Sequence, residues 1–247
     1  MKNITPGLFI VLSAGIGGGG MALLVWFLSV GTPFSIVLAR SRSERIAIDT
    51  LLCLLFFLQH SGMVRRGAKA RIARHFPETY NPALYSIASG LALFILVLLW
   101  QPDDQMLYHI SGPARWAFSG VAVAGVAGFV WGVTALGGFD PFGTAPLRAI
   151  SRGATPVSSV FVARGPYRYV RHPLYLFVLL LIWDAPRLSA DRLLFNVLFS
   201  VWIVVGTVLE ERDLGSDFGQ VYREYQMAVP MLIPIPRVLR RRRSPTP

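Results

Sequence analysis

The chain has 247 residues, 53% of them hydrophobic and only 15% charged, with Lys+Arg 24 against Asp+Glu 13. That balance excludes an ordinary soluble domain of this size and fits a polytopic membrane protein. The formal net charge of +11 does not argue for a nucleic-acid partner: the cations sit in loops between apolar runs and in the tail Arg237, Arg240, Arg241, Arg242 and Arg243, as the positive-inside bias and anionic lipid favour.

Crossing the hydrocarbon core takes roughly 20 apolar residues as helix. Residues 8–30 carry no charge. They follow Lys2 as a signal peptide would, but the run is longer than a typical signal core, so a retained helix is expected. Within it, GIGGGG at 15–20 places Gly15 and Gly19 four apart, a spacing that permits close helix approach, within one bundle or in a dimer. Residues 46–60 are apolar apart from Asp49, Gln59 and His60. The sole cysteine, Cys53, lies in LLCLLFF and is expected to be a small buried apolar residue; no intrachain disulfide or cysteine-cluster zinc site is possible, and no metal is expected.

Residues 83–100 and 116–139 are uncharged spans, and 193–209 is just long enough. Residues 174–183 are too short alone and suit one arm of a hairpin with 193–209. Beyond this, Phe218, Tyr222 and Tyr225 fall on one helical face, predicting an interfacial amphipathic helix with aromatics at headgroup level, ended by Pro230 and Pro234. The fold class is an all-α membrane bundle, a single domain over 1–247 with about 5–6 transmembrane helices and this C-terminal interfacial helix.

Loop 61–82 (Arg65, Arg66, Lys69, Arg71, Arg74), loop 140–172 (Arg148, Arg152, Arg164, Arg168, Arg171) and the tail should be cytoplasmic; loop 101–115, with Asp103 and Asp104, should be external. Loop 31–45 conflicts: alternation puts it outside, yet it carries Arg40, Arg42 and Arg45. Either 46–60 does not fully cross or the charge rule fails there.

Two polar clusters bracket 174–209. RGPYRYVRHPLY at 164–175 puts Pro173 in the first turn of a helix and His172 at its N-cap, where free N–H groups with Arg168 and Arg171 make a small anion site. The plainer reading is snorkelling arginines. Glu210 and Glu211 directly follow IVVGTVL, an expensive place for adjacent carboxylates unless something there wants negative charge; the plainer reading is an interfacial pair ending a span. In a hairpin the clusters are close in space. Together they suit a ligand with a carboxylate at one end, and a positive centre and ribose hydroxyls at the other, which S-adenosylmethionine satisfies.

RGPYRYVRHPLY, then EERDL, then FGQVYREYQMAVP resembles, in order and spacing, the cofactor-binding end of the isoprenylcysteine carboxyl methyltransferase-like superfamily of integral membrane methyltransferases. Arg171-His172-Pro173-x-Tyr175 matches its RHPxY motif. QHSGMVR at 59–65 and VWGVTALGGFDPFG at 130–143 resemble the bacterial methanethiol S-methyltransferase subgroup and its nitrite-reductase-accessory-like relatives. Two departures stand out: Phe177 occupies a position where many members have glycine, predicting a reshaped cofactor cleft, and loop 144–160 matches no motif of the family.

The resemblance implies a cofactor-binding part at 161–236 within the domain and S-adenosylmethionine as cofactor. His172, Pro173, Tyr175 and Tyr222 would line the cleft. Arg171 would meet a carboxylate or hold one of the glutamates; Glu210 or Glu211, with a lean to Glu211, would bind the amino group or ribose. The candidate thiol bases are His172 and His60. The implied product is dimethyl sulfide from methanethiol, at a cytoplasm-facing site in a bacterial inner membrane, in a monomer or homodimer. Alternatives are an isoprenylcysteine carboxyl or phospholipid acceptor, an NADPH-dependent sterol reductase of related C-terminal architecture, and a non-catalytic accessory or transport protein.

Overall fold

The computed structural model describes residues 5–32, 36–103, 105–154, 161 and 163–234. The basic tail from Arg237 to Arg243, Asp104 and the last residues of the proposed cofactor-binding part lie outside them. Among the described residues, ten α-helices follow in order: α1 (Pro6–Leu12) and α2 (Gly18–Val30), joined by a π-turn at Ser13–Gly17; α3 (Arg42–Met63); α4 (Arg66–Ile72); α5 (Asn81–Leu98); α6 (Arg115–Leu136); α7 (Ala145–Ser151); α8 (Pro173–Trp183); α9 (Ala190–Phe218); and α10 (Gln220–Ala228).

Among the described residues, five segments are long and apolar enough to cross a membrane: Pro6–Val30, Arg42–Met63, Glu78–Leu98, Gly112–Leu136 and Ala190–Phe218. α8, with 11 residues, is short of a full crossing. The chain is an all-α, polytopic integral membrane protein. Among the described residues there is also a ribbon the sequence did not signal, β1 (Met106–His109) antiparallel to β2 (Arg187–Ser189). The strands are too short to show an alternating pattern, and β1 is exposed throughout.

The chain divides into two compact units. The first comprises Met1–Ile110, Asp140–Ser159 and Pro186–Trp202. Here α2 meets α5 through glycine: a Cβ on Gly20 would lie 2.7 Å from the Gly90 carbonyl oxygen, and one on Gly90 would strike the backbone of Ile16. The contact therefore falls on Gly17 and Gly20, whereas Gly15 faces open space and Gly19 meets only the Phe94 ring. The expected Gly15–Gly19 face is displaced because the π-turn adds a residue to the helical register. Cys53 is fully buried, as expected. Aromatic rings fill the interior, with Phe57 stacked on Trp202 at 4.7 Å and Phe27 edge-on to Trp100 at 5.4 Å.

The loop conflict has a local solution in the same unit. A capping box of Ser41 and Glu44 starts α3, which runs its full 22 residues. Arg42 pairs with Asp103 at 3.0 Å, Arg45 donates to the Pro102 carbonyl at 2.9 Å, and the Gln101 side chain accepts the amides of Leu38 and Ala39. Segment 36–45 is thus tied to segment 99–103, the same-end placement that alternation requires. Asp103 offsets Arg42, so the arginines here are a poor guide to sidedness.

The second unit comprises Ser111–Phe139, Val160–Ala185 and Ile203–Pro247. Its main contact joins α6 to α8. Gly125, Gly128 and Gly132 on α6 are buried, and a Cβ at each would run into Leu181, Phe177 and Leu174 of α8, respectively. Both sets follow i, i+3, i+7 spacing, one stripe on each helix, and small residues let the backbones approach. Phe177 is therefore accommodated by a glycine on α6. The residue expected to reshape a cofactor cleft packs its ring against α6.

Candidate active site

The site grows from two X-Pro dipeptides. A residue before proline is driven out of the α region. His172, before Pro173, accordingly lies outside the α region (φ −123°, ψ 65°), and Val229 before Pro230 is extended (φ −123°, ψ 132°). The two stretches pair: Arg171 N–H donates to the Pro230 carbonyl at 2.9 Å and His172 N–H to Met231 at 3.1 Å. His172 caps α8, with Pro173 at its first turn and Leu176 N–H reaching the His172 carbonyl at 3.1 Å. The backbone amides of 171 and 172 are thus consumed by segment 230–231 and take no part in the anion site foreseen there, and Arg168 is exposed.

Gly219 brings that segment round. Its φ of 57° favours glycine and separates α9 from α10. Phe218, Tyr222 and Tyr225 therefore do not lie on one helix, yet all three converge on the Phe161 ring at 5.5, 5.8 and 5.2 Å. Tyr222 is 1% exposed. The expected headgroup-level aromatic face is corrected accordingly: at Tyr222 it is an interior wall. The Tyr222 hydroxyl is buried without a hydrogen-bond partner among the described residues.

Glu211 is held entirely by its own chain. One oxygen takes Arg171 Nε at 2.5 Å and faces His172 Nε2 at 3.2 Å; the other takes Arg171 Nη2 at 3.0 Å and Gln226 Nε2 at 3.2 Å. A carboxylate offers about four acceptor sites, so Glu211 is saturated. Arg171 is fixed in turn, its Nη1 donating to the carbonyls of Gln226 (2.9 Å) and Val229. The anion beside the arginine is thus Glu211 itself. Glu210 differs: its side chain is 44% exposed, and it accepts the Tyr175 hydroxyl at 2.7 Å. The Tyr175 and His172 rings stack at 5.6 Å with 7° between their planes.

Burial lowers the pKa of His172 below its ordinary value, against the opposing pull of Glu210 and Glu211. Burial pushes the Tyr167 and Tyr225 hydroxyls up to about 12, and raises Tyr222 as well. All three are proton donors at neutral pH. Tyr225 donates to the Tyr167 carbonyl at 2.5 Å.

Arg171, His172, Pro173, Tyr175, Glu210, Glu211 and Tyr222 thus gather in one unit. His60 belongs to the other, where its ring meets the Tyr85 hydroxyl at 2.6 Å and Ser89 Oγ at 3.2 Å. Gln226 escaped the sequence reading, although it stands four residues after Tyr222 and so shares its face.

Among known proteins, the chain is 35% identical over 194 residues to a methanethiol S-methyltransferase of a Pseudomonas species, covering 76% of this chain and 73% of that one. It is 34% identical over 217 residues to methanethiol S-methyltransferase 2 of Bradyrhizobium diazoefficiens, covering 88% and 81%. The chain belongs to the methanethiol S-methyltransferase family. Nurim of Rattus norvegicus is a more distant relative, 26% identical over 197 residues, 76% of this chain and 75% of that one. No protein-family model and no solved structure matches. Membership makes the chain a methyltransferase.

Proposed function

We propose that the protein transfers a methyl group from S-adenosylmethionine to methanethiol, giving dimethyl sulfide. The observation that carries this reading is the division of labour between adjacent carboxylates in a chain of this family: Glu211 saturated by Arg171, His172 and Gln226, and Glu210 left open beside stacked aromatic rings. Arg171 cancels one carboxylate and leaves the cluster net negative. That suits a ligand with two positive centres and one negative one. The unpartnered Tyr222 hydroxyl is a donor waiting for an acceptor.

Glu210 is the residue to hold the donor's ammonium group, with Tyr175 and Tyr222 lining the same cleft; Arg171 and Glu211 are positioning residues. The lean toward Glu211 as the cofactor-facing glutamate is thereby reversed. When bound, the donor supplies an electrophilic methyl group on a positively charged sulfur, open to in-line displacement by a thiolate. The chain's own task is to align the reactants and remove the thiol proton. With Nε2 of His172 donating to Glu211, Nδ1 keeps its lone pair, 3.8 Å from Glu210. It accepts the proton there, and the imidazolium so formed lies between two carboxylates. His60, oriented by Tyr85, is the alternative base.

We infer further that the site faces the cytoplasm of a bacterial inner membrane, where the arginines of loops 61–82 and 140–172 are expected. The test uses purified protein in detergent: S-adenosylmethionine binding by calorimetry, then dimethyl sulfide by headspace detection. Binding with product formation is expected. Absence of binding at millimolar donor overturns the reading, and binding without dimethyl sulfide overturns the acceptor alone. Loss of turnover in His60→Ala but not in His172→Ala would transfer the base to His60.

A further inference from the structure

A groove of about 490 Å³ opens between α4 and α5, wholly within the first unit. Its floor is a stripe of α5, Leu84, Ile87, Ala88 and Leu91, at i, i+3, i+4 and i+7. The stripe rises about 10 Å along the helix. Ile72 and Phe76 close one side, while exposed Arg71 and His75 line the groove beside them. α5 belongs to a membrane-spanning segment, so the groove joins an apolar trough at bilayer depth to the Arg71 guanidinium and the His75 imidazole.

The segment that carries Arg71 and His75 has charge of one sign up to Glu78, which follows Phe76 by two residues. Residues 65–75 hold Arg65, Arg66, Lys69, Arg71 and Arg74, and no Asp or Glu occurs between Asp49 and Glu78. A small apolar solute would gain nothing from Arg71. A zwitterionic lipid would bring its own cation into this field. An anionic phospholipid satisfies both halves, since juxtamembrane arginines attract acidic headgroups and basic pockets beside membrane helices hold them. Arginine can also take phosphate oxygens in bidentate fashion.

We propose that this groove is a binding site for one anionic phospholipid, its phosphodiester against Arg71 and His75 and one acyl chain along the α5 stripe. The site is independent of the methyl-transfer chemistry and of how that chemistry is assigned.

The test exposes full-length protein in detergent to equimolar phosphatidylglycerol and phosphatidylcholine of identical acyl chains and counts retained lipid by native mass spectrometry. Preferential retention of one phosphatidylglycerol is expected. Arg71→Ala should weaken it about fivefold and Arg71→Glu more, because each juxtamembrane cation contributes about that factor. Arg74→Ala, which removes a cation of the same segment that does not line the groove, should weaken it less than Arg71→Ala. Ala88→Trp should block the acyl trough and abolish retention of the lipid while leaving the arginines in place; Ala88→Leu serves if the tryptophan variant fails to fold. Equal retention of the two lipids by the wild-type protein, or retention that Arg71→Glu leaves unchanged, would overturn the proposal. So would an equal effect of glycerol phosphate as competitor, which would make the groove a site for free phosphoester.

Discussion

Arg171 grips Glu211 with two nitrogens at once, Nε at 2.5 Å and Nη2 at 3.0 Å, while its third nitrogen, Nη1, is taken by the backbone carbonyls of Gln226 and Val229 at the C-terminal end of α10. The pair is nearly buried, with side-chain exposures of 10% and 13%. Removing one partner of such a pair strands the other's charge, at about 3–5 kcal/mol. Glu211→Gln should therefore lower the thermal midpoint strongly in detergent, read by fluorescence-detected size exclusion after heating. Arg171→Lys should also destabilise, because an ammonium cannot make the forked contact. A midpoint unchanged in both variants would show that the pair holds nothing together.

Glu210 predicts the opposite pattern. Its side chain is 44% exposed and accepts the Tyr175 hydroxyl. Glu210→Gln should leave the midpoint nearly intact but cost S-adenosylmethionine about 1.5–3 kcal/mol of binding, tenfold to over a hundredfold in affinity, the scale of a hydrogen bond to a charged group. Calorimetric titration of the two glutamine variants side by side separates the roles. Normal cofactor affinity in Glu210→Gln would remove it from the cleft.

His172 sets an acid limit on turnover. Its proton-accepting form is neutral, and burial holds its pKa below the ordinary histidine value. The acid limb of kcat/KM should therefore fall below pH 6.5, with activity level through neutrality until that limb is reached. Stability follows the same sign. A depressed pKa means the unfolded chain binds the proton more readily, so this group's contribution is present above the unfolded pKa and lost as pH falls through the folded one. A pH–rate profile and a pH series of thermal midpoints, each with His172→Gln as reference, read the two effects. An acid limb unmoved in His172→Gln would exclude His172 as the base.

Much of this architecture was legible in the sequence, because crossing a bilayer demands a long uncharged helix, and five such segments are plain to read. The gathering of Arg171 and His172 with Glu210 and Glu211 was legible too, since Pro173 marks a helix start and the glutamates mark a span's end. What stayed hidden depends on single backbone angles or on partners distant in sequence. Nothing local announces that Gly219 takes a positive φ and folds α10 back, and that turn puts Gln226 on Glu211. Two adjacent glutamates look equivalent until their partners are known. The π-turn at Ser13–Gly17 moved the packing glycines to Gly17 and Gly20 without any change in composition. The arginines of segment 36–45 resisted a charge rule because the rule does not see Asp103 beside Arg42.

Phe177 and Gly128 offer the cleanest test of a helix contact read as a substrate determinant. A Cβ on Gly128 would enter the Phe177 ring, the far end of a side chain with some freedom to move. Gly128→Ala should therefore cost about 1–3 kcal/mol, as overpacking does. At Gly90 the obstacle is the backbone of Ile16, which cannot rotate away, so Gly90→Ala should destabilise more. Trimming Phe177 gives the Gly128 methyl room. Gly128→Ala combined with Phe177→Leu should lose less than the sum of the single variants, a coupling of about 0.5–3 kcal/mol for side chains in contact. Because Phe177 faces α6, Phe177→Leu alone should leave the KM for S-adenosylmethionine unchanged. Thermal midpoints of the four proteins close the cycle. Strict additivity, or a shifted KM in Phe177→Leu at unchanged stability, would return Phe177 to the cofactor cleft.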